Sequence, residues 1–440
     1  MVKNAHPEPH LPDHPIDRIL EPLRKFLHVE AASGVLLMGC TLIALVAANS
    51  PLSDVYLDFW KTPIGFTVGD FVFRHSLKHW INDGLMVLFF FVIGLEMKRE
   101  IVQGELRDWR RAALPMAAAL GGMIVPATLY LAIQLGKPGI RGWGIPMATD
   151  IAFVVGCIAL LGPRVPHSLR ILLVSLAIVD DIGAIVVIAV GYTGQLNWGW
   201  LAGAAVGLGF VRLLAQVGVR GFAVYLAVGV LVWFAFHESG VHATIAGVIL
   251  GLMTPTTALV SEGTFSELLR RTRQVFESGG WRGVSRRGEK IRRFQHLTRE
   301  TISPLEYLEN RLHPWSGFAI MPLFALANAG VPLRVAALND PIALAVVVGL
   351  VVGKPLGIVT FSWLAVKAGW ARLPDGLSWK VLLAAGTLAG IGFTMSLFIA
   401  GLAFEAHMLD RAKIGVLAGS ALSAVVGVGL LLYTLPKPPR

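Results

Sequence analysis

Residues 177–183 read Ala-Ile-Val-Asp-Asp-Ile-Gly and place two adjacent aspartates, Asp180 and Asp181, in the middle of an apolar run from Ser168 to Gly191. The run is long enough to cross a bilayer, which takes about 20 apolar residues in a helix. A charge at the centre of a membrane helix costs roughly 2.5–3.5 kcal/mol, so such residues usually pair with one another or line an ion pathway. Asp180 and Asp181 are therefore the first candidates for a functional site.

The composition is that of an all-α integral membrane protein. Of 440 residues, 55% are hydrophobic and 15% are charged, against about 25% charged in an average soluble domain. The two cysteines, Cys40 and Cys157, lie inside apolar runs, which excludes a disulfide framework and a paired-cysteine metal site. The excess of basic residues that gives a net charge of +10 lies in a few loops, and no binding module of interleaved aromatic and basic residues accompanies it. We attribute it to helix orientation and expect no nucleic-acid partner.

Twelve apolar stretches are candidates for membrane-spanning helices. They are 31–49, 77–97, 112–133, 144–161, 168–191, 198–217, 222–237, 241–255, 315–333, 342–366, 380–403 and 412–434. The loops after the even-numbered stretches are rich in Lys and Arg, and basic loops stay in the cytoplasm. An even number of spans then places both termini in the cytoplasm. The last external loop fits this orientation least well, because it carries Arg411 and Lys413.

Residues 1–30 are predicted to be a cytoplasmic tail that includes an interfacial helix. The histidines His6, His10 and His14 stand among prolines and could bind metal, but the composition favours a solvated segment. Apolar residues recur at helical spacing between residues 16 and 27 beside basic ones, which indicates a helix on the membrane surface. A compact apolar core and a cleavage site are lacking, so we predict no cleaved signal peptide.

Two further segments are predicted to lie outside the bilayer. Residues 55–73 mix aromatic and β-branched residues around Thr62-Pro-Ile-Gly65, which predicts an external β-hairpin whose open edge could pair with its copy in a homodimer. Residues 256–314 form a basic cytoplasmic loop. Its arginine-rich part, 261–303, could bind a partner, but a solvated insert near anionic lipid head groups is the simpler interpretation. Residues 435–440 form a second cytoplasmic tail.

Four ionisable residues are expected deep in the bilayer, namely Asp150, Asp180, Asp181 and Lys354. Left unpaired, they would together cost on the order of 10–14 kcal/mol. Adjacent helix residues point about 100° apart, so one of the neighbouring aspartates can face a basic partner while the other faces a cavity. Lys354 is the natural partner, because it is the only basic residue near the middle of its stretch. A buried Asp–Lys bridge that merely fixes packing is the alternative, and it leaves the second aspartate unexplained.

Weak points at matching places in the two halves of the chain predict broken helices. The stretch Gly144-Ile-Pro-Met-Ala-Thr-Asp-Ile contains Pro146, which removes a backbone donor, and residues 386–395 carry three glycines. Broken helices at matching places in a transporter point to a midplane site between inverted repeats, here stretches three to five and ten to twelve. Sodium suits the oxygens of four side chains at this site, those of Thr149, Asp150, Asp180 and Asp181. Protons compete for the same carboxylates, and competition at one site is exchange.

Several ordered motifs resemble the NhaA-type bacterial sodium/proton antiporters between residues 28 and 434. They are Ile81-Asn-Asp-Gly-Leu-Met, Gly94-Leu-Glu-Met-Lys-Arg-Glu, Ala148-Thr-Asp-Ile-Ala-Phe, Val179-Asp-Asp-Ile-Gly-Ala-Ile, Gly240-Val-His-Ala-Thr, Leu312-His-Pro-Trp, Ala327-Asn-Ala-Gly-Val and Gly353-Lys-Pro-Leu-Gly. The resemblance implies twelve helices, two broken helices crossing at the midplane and a homodimer joined by the hairpin. It also implies electrogenic export of sodium or lithium driven by proton entry, for pH and sodium homeostasis, in the bacterial inner membrane. No chemical cofactor and no enzymatic activity are implied.

The resemblance also implies roles for single residues. Asp180 and Asp181 would bind the ion and protons, and Lys354 would pair with Asp180. Thr149 and Asp150 would support the site and balance the helix ends. A pH-sensing set would comprise Glu96, Arg99, Glu100, His242, Glu309 and His313. From the residues alone, Glu96, Arg99 and Glu100 could equally form salt bridges at a helix end. The two histidines alone would be interpreted as packing residues. The chain has Asn310 where family members can have a histidine, which leaves the activating pH open.

Two other functions fit parts of the sequence. An intramembrane aspartyl protease also brings aspartates of different helices together. Its Gly-x-Gly-Asp helix motif is absent, however, and Val68-Gly-Asp70 lies in the predicted hairpin. A passive cation channel is the second alternative, although paired opposite charges and broken helices favour a binding site over an open pore.

Overall fold

The structure, a computed structural model, is almost entirely helical. It describes residues 30–69, 71–219, 222–258, 301–333, 335–374 and 376–435, together with Gly263, Glu267 and Arg270. The N-terminal tail with its predicted interfacial helix, most of the 261–303 insert and the tail after residue 435 lie outside the described residues.

Helices overlap all twelve of the predicted stretches. Their bounds are Glu30–Ala48, Met86–Val102, Trp109–Gln134, Pro138–Met147 with Ile151–Leu161, His167–Gly191, Trp198–Val217, Phe222–Glu238, Thr244–Met253, Pro304–Trp315 with Met321–Ala329, Pro341–Lys367, Trp379–Leu388 with Phe393–Ala403, and Ala406–Thr434. Shorter helical segments are Ser53–Lys61, Leu77–His79, Trp80–Leu85, Glu105–Arg107, Gly162–Arg164, Ser316–Ile320 and Val335–Asn339. Among the described residues, five helices are long and apolar enough to cross a membrane alone, and the number rises to at most eight if each of three bent helix pairs counts as one span. The full count of twelve spans stays a prediction.

The long helices expose apolar side chains and bury polar ones. Leu160, Val190 and Val425 are 74%, 81% and 73% exposed, whereas Thr394 and Ser396 are fully buried. Extensive exposed apolar surface marks contact with a membrane or a partner. Together with the long apolar helices, this distribution is that of a multi-pass membrane protein.

The predicted hairpin is present but begins later than expected. Strands Pro63–Val68 and Phe71–Ser76 pair antiparallel, whereas Ser53–Lys61, which overlaps the predicted first strand, is a helix. The aromatic residues explain the difference, because Tyr56 and Trp60 are four positions apart and therefore share one helix face. Their rings meet edge to face with centroids 6.1 Å apart, and Trp60 is buried.

Both predicted helix breaks are confirmed. The first broken helix consists of the 3₁₀ segment Pro138–Met147 and the helix Ile151–Leu161, which meet at 43°. The second broken helix consists of Trp379–Leu388 and Phe393–Ala403, which meet at 52°. The residues between the two parts of each are buried. Because helix ends leave backbone groups without partners inside the helix, each break presents such groups to the protein interior.

The helix Pro341–Lys367, here called the lysine helix, widens just before its lysine. A π-helical turn spans Gly349–Gly353, and Lys354 and Pro355 follow it. Proline lacks the backbone N–H that an α-helix would use, and a π turn is one way to accommodate the lost bond. Such turns occur frequently at functional sites, which is consistent with the position of this lysine.

The lysine helix packs on Trp109–Gln134 through backbone. A Cβ atom added to Gly357 would lie 2.0 Å from the carbonyl oxygen of Gly121, and one added to Gly121 would lie 2.1 Å from that of Gly357. Only glycine permits so close an approach. The contact therefore fixes how far the lysine helix, and with it Lys354, reaches into the interior.

Candidate ion site at the helix breaks

Four ionisable side chains are buried around the two breaks. Asp150 and Asp180 are 1% exposed, Asp181 is 4% exposed and Lys354 is completely buried. The adjacent aspartates come from His167–Gly191, here called the aspartate helix. Buried charges persist where they are paired or hydrogen-bonded. The partners of each side chain therefore show which charges the protein balances by itself.

Lys354 pairs with Asp180, as predicted. Its Nζ lies 2.6 Å from Oδ2 of Asp180 and also donates to the backbone carbonyl of Met147, the last residue of the 3₁₀ segment. The lysine thus offsets one full negative charge and the partial negative charge of a helix end. The other oxygen of Asp180, Oδ1, is buried without a hydrogen-bond partner in the described residues. Such an oxygen is suited to receive a proton or a cation, because leaving it unpaired is costly.

Asp150 caps both broken helices. Its Oδ1 accepts a hydrogen bond from the backbone N–H of Phe153 at 3.2 Å, in the first turn of Ile151–Leu161. Its Oδ2 accepts from the backbone N–H of Thr394 at 3.0 Å and from the Thr394 hydroxyl, at the start of Phe393–Ala403. One carboxylate therefore balances the partial positive charges of two helix N-termini.

Polar groups at one helix break form hydrogen bonds with residues at the other break. The backbone N–H of Asp150 donates to the carbonyl of Ile391 at 2.7 Å, and the Thr149 hydroxyl donates to the carbonyl of Ala389 at 3.0 Å. In the same region the Ser396 hydroxyl donates to the backbone carbonyl of Ile145 at 2.7 Å. These bonds satisfy buried backbone groups that the helices themselves leave open. They also join the two broken helices to each other.

Asp181 is the buried aspartate without a fixed partner. Its carboxylate makes no hydrogen bond or ion pair within the described part of the chain. It is close enough to Asp180, Asp150 and Lys354 to interact with their charges, and Thr149 lies beside Asp180. One aspartate of the adjacent pair therefore faces the lysine, and the expectation that the other faces a cavity stays a prediction.

Five of the six predicted pH-sensing residues lie on two helices, and ion pairs join four of them into a second cluster, whereas Glu100 accepts a hydrogen bond from the backbone N–H of Glu105. The five residues are Glu96, Arg99, Glu100, Glu309 and His313. The first three belong to Met86–Val102 and the other two to Pro304–Trp315. Arg99 pairs with the buried Glu309, and Nε2 of His313 lies 3.6 Å from Oε1 of Glu96. Burial raises the pKa of Glu309, and the neighbouring Arg99 opposes that rise.

His242 lies apart from this cluster. Its ring packs on Phe398 of the second broken helix, with centroids 6.1 Å apart. The charged and titratable groups near it are Asp83, His79 and His237. The structure therefore does not bring His242 together with the other five residues of the predicted set.

Thr394 and Ser396 are site residues that sequence reasoning missed. Both lie in or next to the glycine-rich stretch 386–395, which the sequence marked as a weak point. Thr394 is the second residue of Phe393–Ala403 and its hydroxyl donates to Asp150, so it lacks the N-cap position that would have marked it in the sequence. Its partner lies 244 positions away, and one sequence does not reveal which distant residue pairs with which.

Comparison with known proteins identifies the family of this chain. A family model described as "Na+/H+ antiporter 1" matches residues 24–431. The chain belongs to the Na+/H+ antiporter 1 family. The chain is 62% identical over 430 residues to the Na(+)/H(+) antiporter NhaA of Rhodopirellula baltica, with 98% of each chain covered. It is 53% identical over 431 residues to the NhaA of Rhizobium meliloti, covering 97% of this chain and 98% of the relative.

The family assignment confirms the resemblance found in the motifs. A third relative, the Na(+)/H(+) antiporter NhaA 2 of Acidiphilium cryptum, is 50% identical over 436 residues, covering 99% of this chain and 97% of the relative. As a member of a transporter family, the protein is not an enzyme, and the aspartyl protease alternative is excluded. The Asp70 on which that alternative would depend lies outside the described residues.

Proposed function

We propose that the protein is a secondary active antiporter that exports sodium or lithium in exchange for entering protons. The observation that carries this proposal is a pair of adjacent buried aspartates beside two broken helices, one aspartate held by Lys354 and the other without a fixed partner. Membership of the Na+/H+ antiporter 1 family supports the proposal, as do the relatives named Na(+)/H(+) antiporter NhaA that match nearly the whole chain.

The cation would bind between the two adjacent aspartates. Asp181 brings a carboxylate without a fixed partner, Asp180 brings its unpaired Oδ1, and Thr149 lies beside them. Carboxylate and hydroxyl oxygens suit hard cations. We assign Asp150 to the helix ends instead of to sodium, because both of its oxygens already accept hydrogen bonds. This refines the expectation from sequence that all four residues ligate the ion.

Protons and the cation would compete for the same carboxylates. A cation shared by Asp180 and Asp181 weakens the hold of Asp180 on Lys354, since one carboxylate then faces two positive charges. When the cation leaves, protons compete for the carboxylates that it occupied, and Asp180 can pair again with Lys354. The resemblance to the sodium/proton antiporters implies that more than one proton enters per sodium, and we propose that the exchange is electrogenic in this protein too. The titration belongs to the coupled group and not to one aspartate.

The architecture proposed for this activity has twelve spans in inverted repeats, with the ion site at the membrane midplane and both termini in the cytoplasm. The broken helices fall on the fourth and eleventh predicted stretches, at equivalent places in the two repeats, which supports this arrangement. The antiparallel hairpin offers an open strand edge for a homodimer. Homologues named as bacterial antiporters support a location in the bacterial inner membrane.

We further propose that exchange is switched by pH through the second cluster. The cluster joins two helices through Arg99 and Glu309 and through His313 and Glu96. Protonation of the buried Glu309 ends its attraction to Arg99. The contact between the two helices, and with it their relative position, can therefore depend on pH.

The experiment that tests the function is an exchange assay in vesicles. Purified protein is reconstituted with an internal pH dye, and sodium, lithium or potassium is added outside an acidic lumen across a series of pH values. We expect sodium-dependent alkalinisation of the lumen, its loss in Asp181→Asn, and its retention in the control Asp58→Asn, which changes an exposed aspartate. Sodium uptake without proton movement would instead indicate the passive channel, and sustained exchange by Asp181→Asn would refute the site.

A further inference from the structure

Three histidines lie outside the candidate ion site, where the hairpin meets the helix Phe222–Glu238. His75 belongs to the second strand, His79 to the short helix that follows, and His237 to the last turn of Phe222–Glu238. Each offers one ring nitrogen, and the three nitrogens lie within 4.8 Å of one another. Within the described residues, this is the one group of three or more such ligands at metal-binding spacing.

The rings form a compact arrangement. The centroids of His75 and His79 are 4.3 Å apart, and His237 lies 5.8 Å from each of them. Neutral imidazole is the form that binds metals.

Two further residues hold the rings in place. Oδ2 of Asp83 lies 3.3 Å from Nε2 of His79, and a carboxylate beside a histidine ligand fixes the ring and makes it a stronger ligand. Trp233 stacks on His237 with centroids 5.8 Å apart, and its indole N–H donates to the backbone carbonyl of Asp83 at 3.2 Å. All five side chains line one cavity. Ring packing alone explains the stacking, but it does not require the nitrogens to converge or a carboxylate to stand beside them.

We propose that His75, His79 and His237 bind one divalent transition-metal ion, with zinc as the best match. Imidazole nitrogens suit zinc, copper and nickel, whereas sodium prefers oxygen ligands. With Zn–N bonds of about 2.0–2.1 Å, two nitrogens of a tetrahedral site lie about 3.4 Å apart, so nitrogens that are within 4.8 Å of one another must draw together by at most about 1.4 Å. The three side chains are only partly buried, and their rotation supplies this adjustment.

The bound metal has two physical consequences. It ties the hairpin to Phe222–Glu238, and a metal that binds only the folded protein stabilises the fold. It also places a divalent charge beside His242, which interacts with His79 and His237. The site is separate from the aspartates of the proposed exchange, so zinc binding and sodium exchange are tested independently.

The test measures zinc binding to the full-length protein in detergent, without a polyhistidine tag. The background variant carries His6→Gln, His10→Gln and His14→Gln, because the N-terminal tail could also bind metal. Equilibrium dialysis then counts the bound zinc. We expect one zinc per chain in the background variant and an apparent affinity at least about tenfold weaker when His237→Gln is added. The control His407→Gln changes an exposed histidine outside the group and is expected to leave the affinity unchanged.

Two results would overturn the proposal. One is equal zinc affinity with and without His237→Gln, and the other is disappearance of the bound zinc when only the three tail histidines are replaced. Should His237→Gln fail to fold, Co²⁺ in the background variant decides the question through its visible absorption. A spectrum of four-coordinate cobalt that His75→Gln removes supports the site. The spectrum of the hydrated ion alone contradicts it.

Discussion

The backbone N–H and the hydroxyl of Thr394 both donate to one oxygen of Asp150, although the two residues are 244 positions apart in the chain. The other oxygen of the same carboxylate caps the first broken helix through Phe153. A single negative charge therefore compensates two helix N-termini at once. Loss of the Asp150 carboxylate leaves both helix ends uncompensated, whereas loss of the Thr394 hydroxyl removes one bond at the second helix end only.

Replacing Thr394 by valine is expected to destabilise the protein. Thr394→Val keeps the backbone N–H but removes a buried hydroxyl that bonds to a charged group, a loss of about 1.5–3 kcal/mol in the free energy of unfolding. The unfolding midpoint in detergent measures the effect. Thr360→Val, on the exposed surface of the lysine helix, is the matched control. Equal midpoints for the two variants would show that the bond from the Thr394 hydroxyl to Asp150 does not stabilise the protein.

The pair of Lys354 and Asp180 is expected to show strong energetic coupling. Asp180→Asn or Lys354→Met alone leaves one buried charge without its partner, which costs about 3–5 kcal/mol. The double variant removes both charges and is expected to be more stable than either single variant. Unfolding midpoints of the four proteins in one detergent complete the double-mutant cycle. Additive losses in the double variant would show that the two side chains do not depend on each other.

Neutralising Asp181 is expected to separate stability from ion binding. Because this carboxylate has no fixed partner in the described residues, Asp181→Asn should unfold at the wild-type midpoint or above it when sodium is absent. Saturating sodium at 100 times its dissociation constant stabilises a binding-competent protein by about 2.7 kcal/mol. We expect that sodium-dependent rise in the wild type and its loss in Asp181→Asn, with choline as the control cation. A full sodium response in the variant would place the ion elsewhere.

The glycine contact between the lysine helix and Trp109–Gln134 predicts a large effect from one methyl group. In Gly357→Ala, the new Cβ would meet the carbonyl oxygen of Gly121 at 2.0 Å, and backbone cannot move aside as a side chain can. We expect a loss of about 1–3 kcal/mol or more in the free energy of unfolding. Gly203→Ala is the control, because no atom lies within 4 Å of the place that its new methyl group would occupy. The control should unfold at the wild-type midpoint or slightly above it.

Glu309 predicts a pH-dependent difference in stability. Burial raises its pKa, so the folded protein keeps this proton to a higher pH than the unfolded chain does. The contribution of Glu309 to the free energy of unfolding therefore falls as the pH rises from the ordinary glutamate value through the raised pKa. The glutamine of Glu309→Gln has no proton to lose. The unfolding midpoint of this variant should therefore rise relative to that of the wild type as the pH increases over this range.

The control for this prediction is Asn310→Gln, which changes an exposed residue without a titratable group on the same helix. Its midpoint should follow the wild type at every pH. A midpoint of Glu309→Gln that falls relative to the wild type as the pH rises would mean that Arg99, and not burial, dominates the environment of Glu309.

The main features of the site could be predicted from the sequence because charged residues are rare and costly inside apolar membrane-spanning stretches. A lysine inside an apolar stretch needs an acidic partner, and the adjacent aspartates provided one, so the pair of Lys354 and Asp180 was predictable. The breaks were predictable because Pro146 and the glycines of 386–395 weaken helices in an otherwise apolar context. These signals are local, and each follows from the residue type and its surroundings.

The features that could not be predicted from the sequence depend mostly on contacts between segments that are distant in the chain. The helix Ser53–Lys61 was mistaken for part of a strand, because its aromatic residues suit either structure and only their spacing favours a helix. The bond between Thr394 and Asp150 and the separation of His242 from the other pH-sensing candidates have no local signature. The same holds for the approach of His237 to the hairpin.

Five hydrogen bonds run between the two broken helices: the backbone bond from Asp150 to Ile391, the side-chain bonds from Thr149 to Ala389 and from Ser396 to Ile145, and the two from Thr394 to Asp150. Pulling the breaks apart would leave all of these polar groups in a dry interior. The two broken helices are therefore expected to turn as one rigid body, and access from the two sides of the membrane must alternate by movement of the surrounding helices against that body.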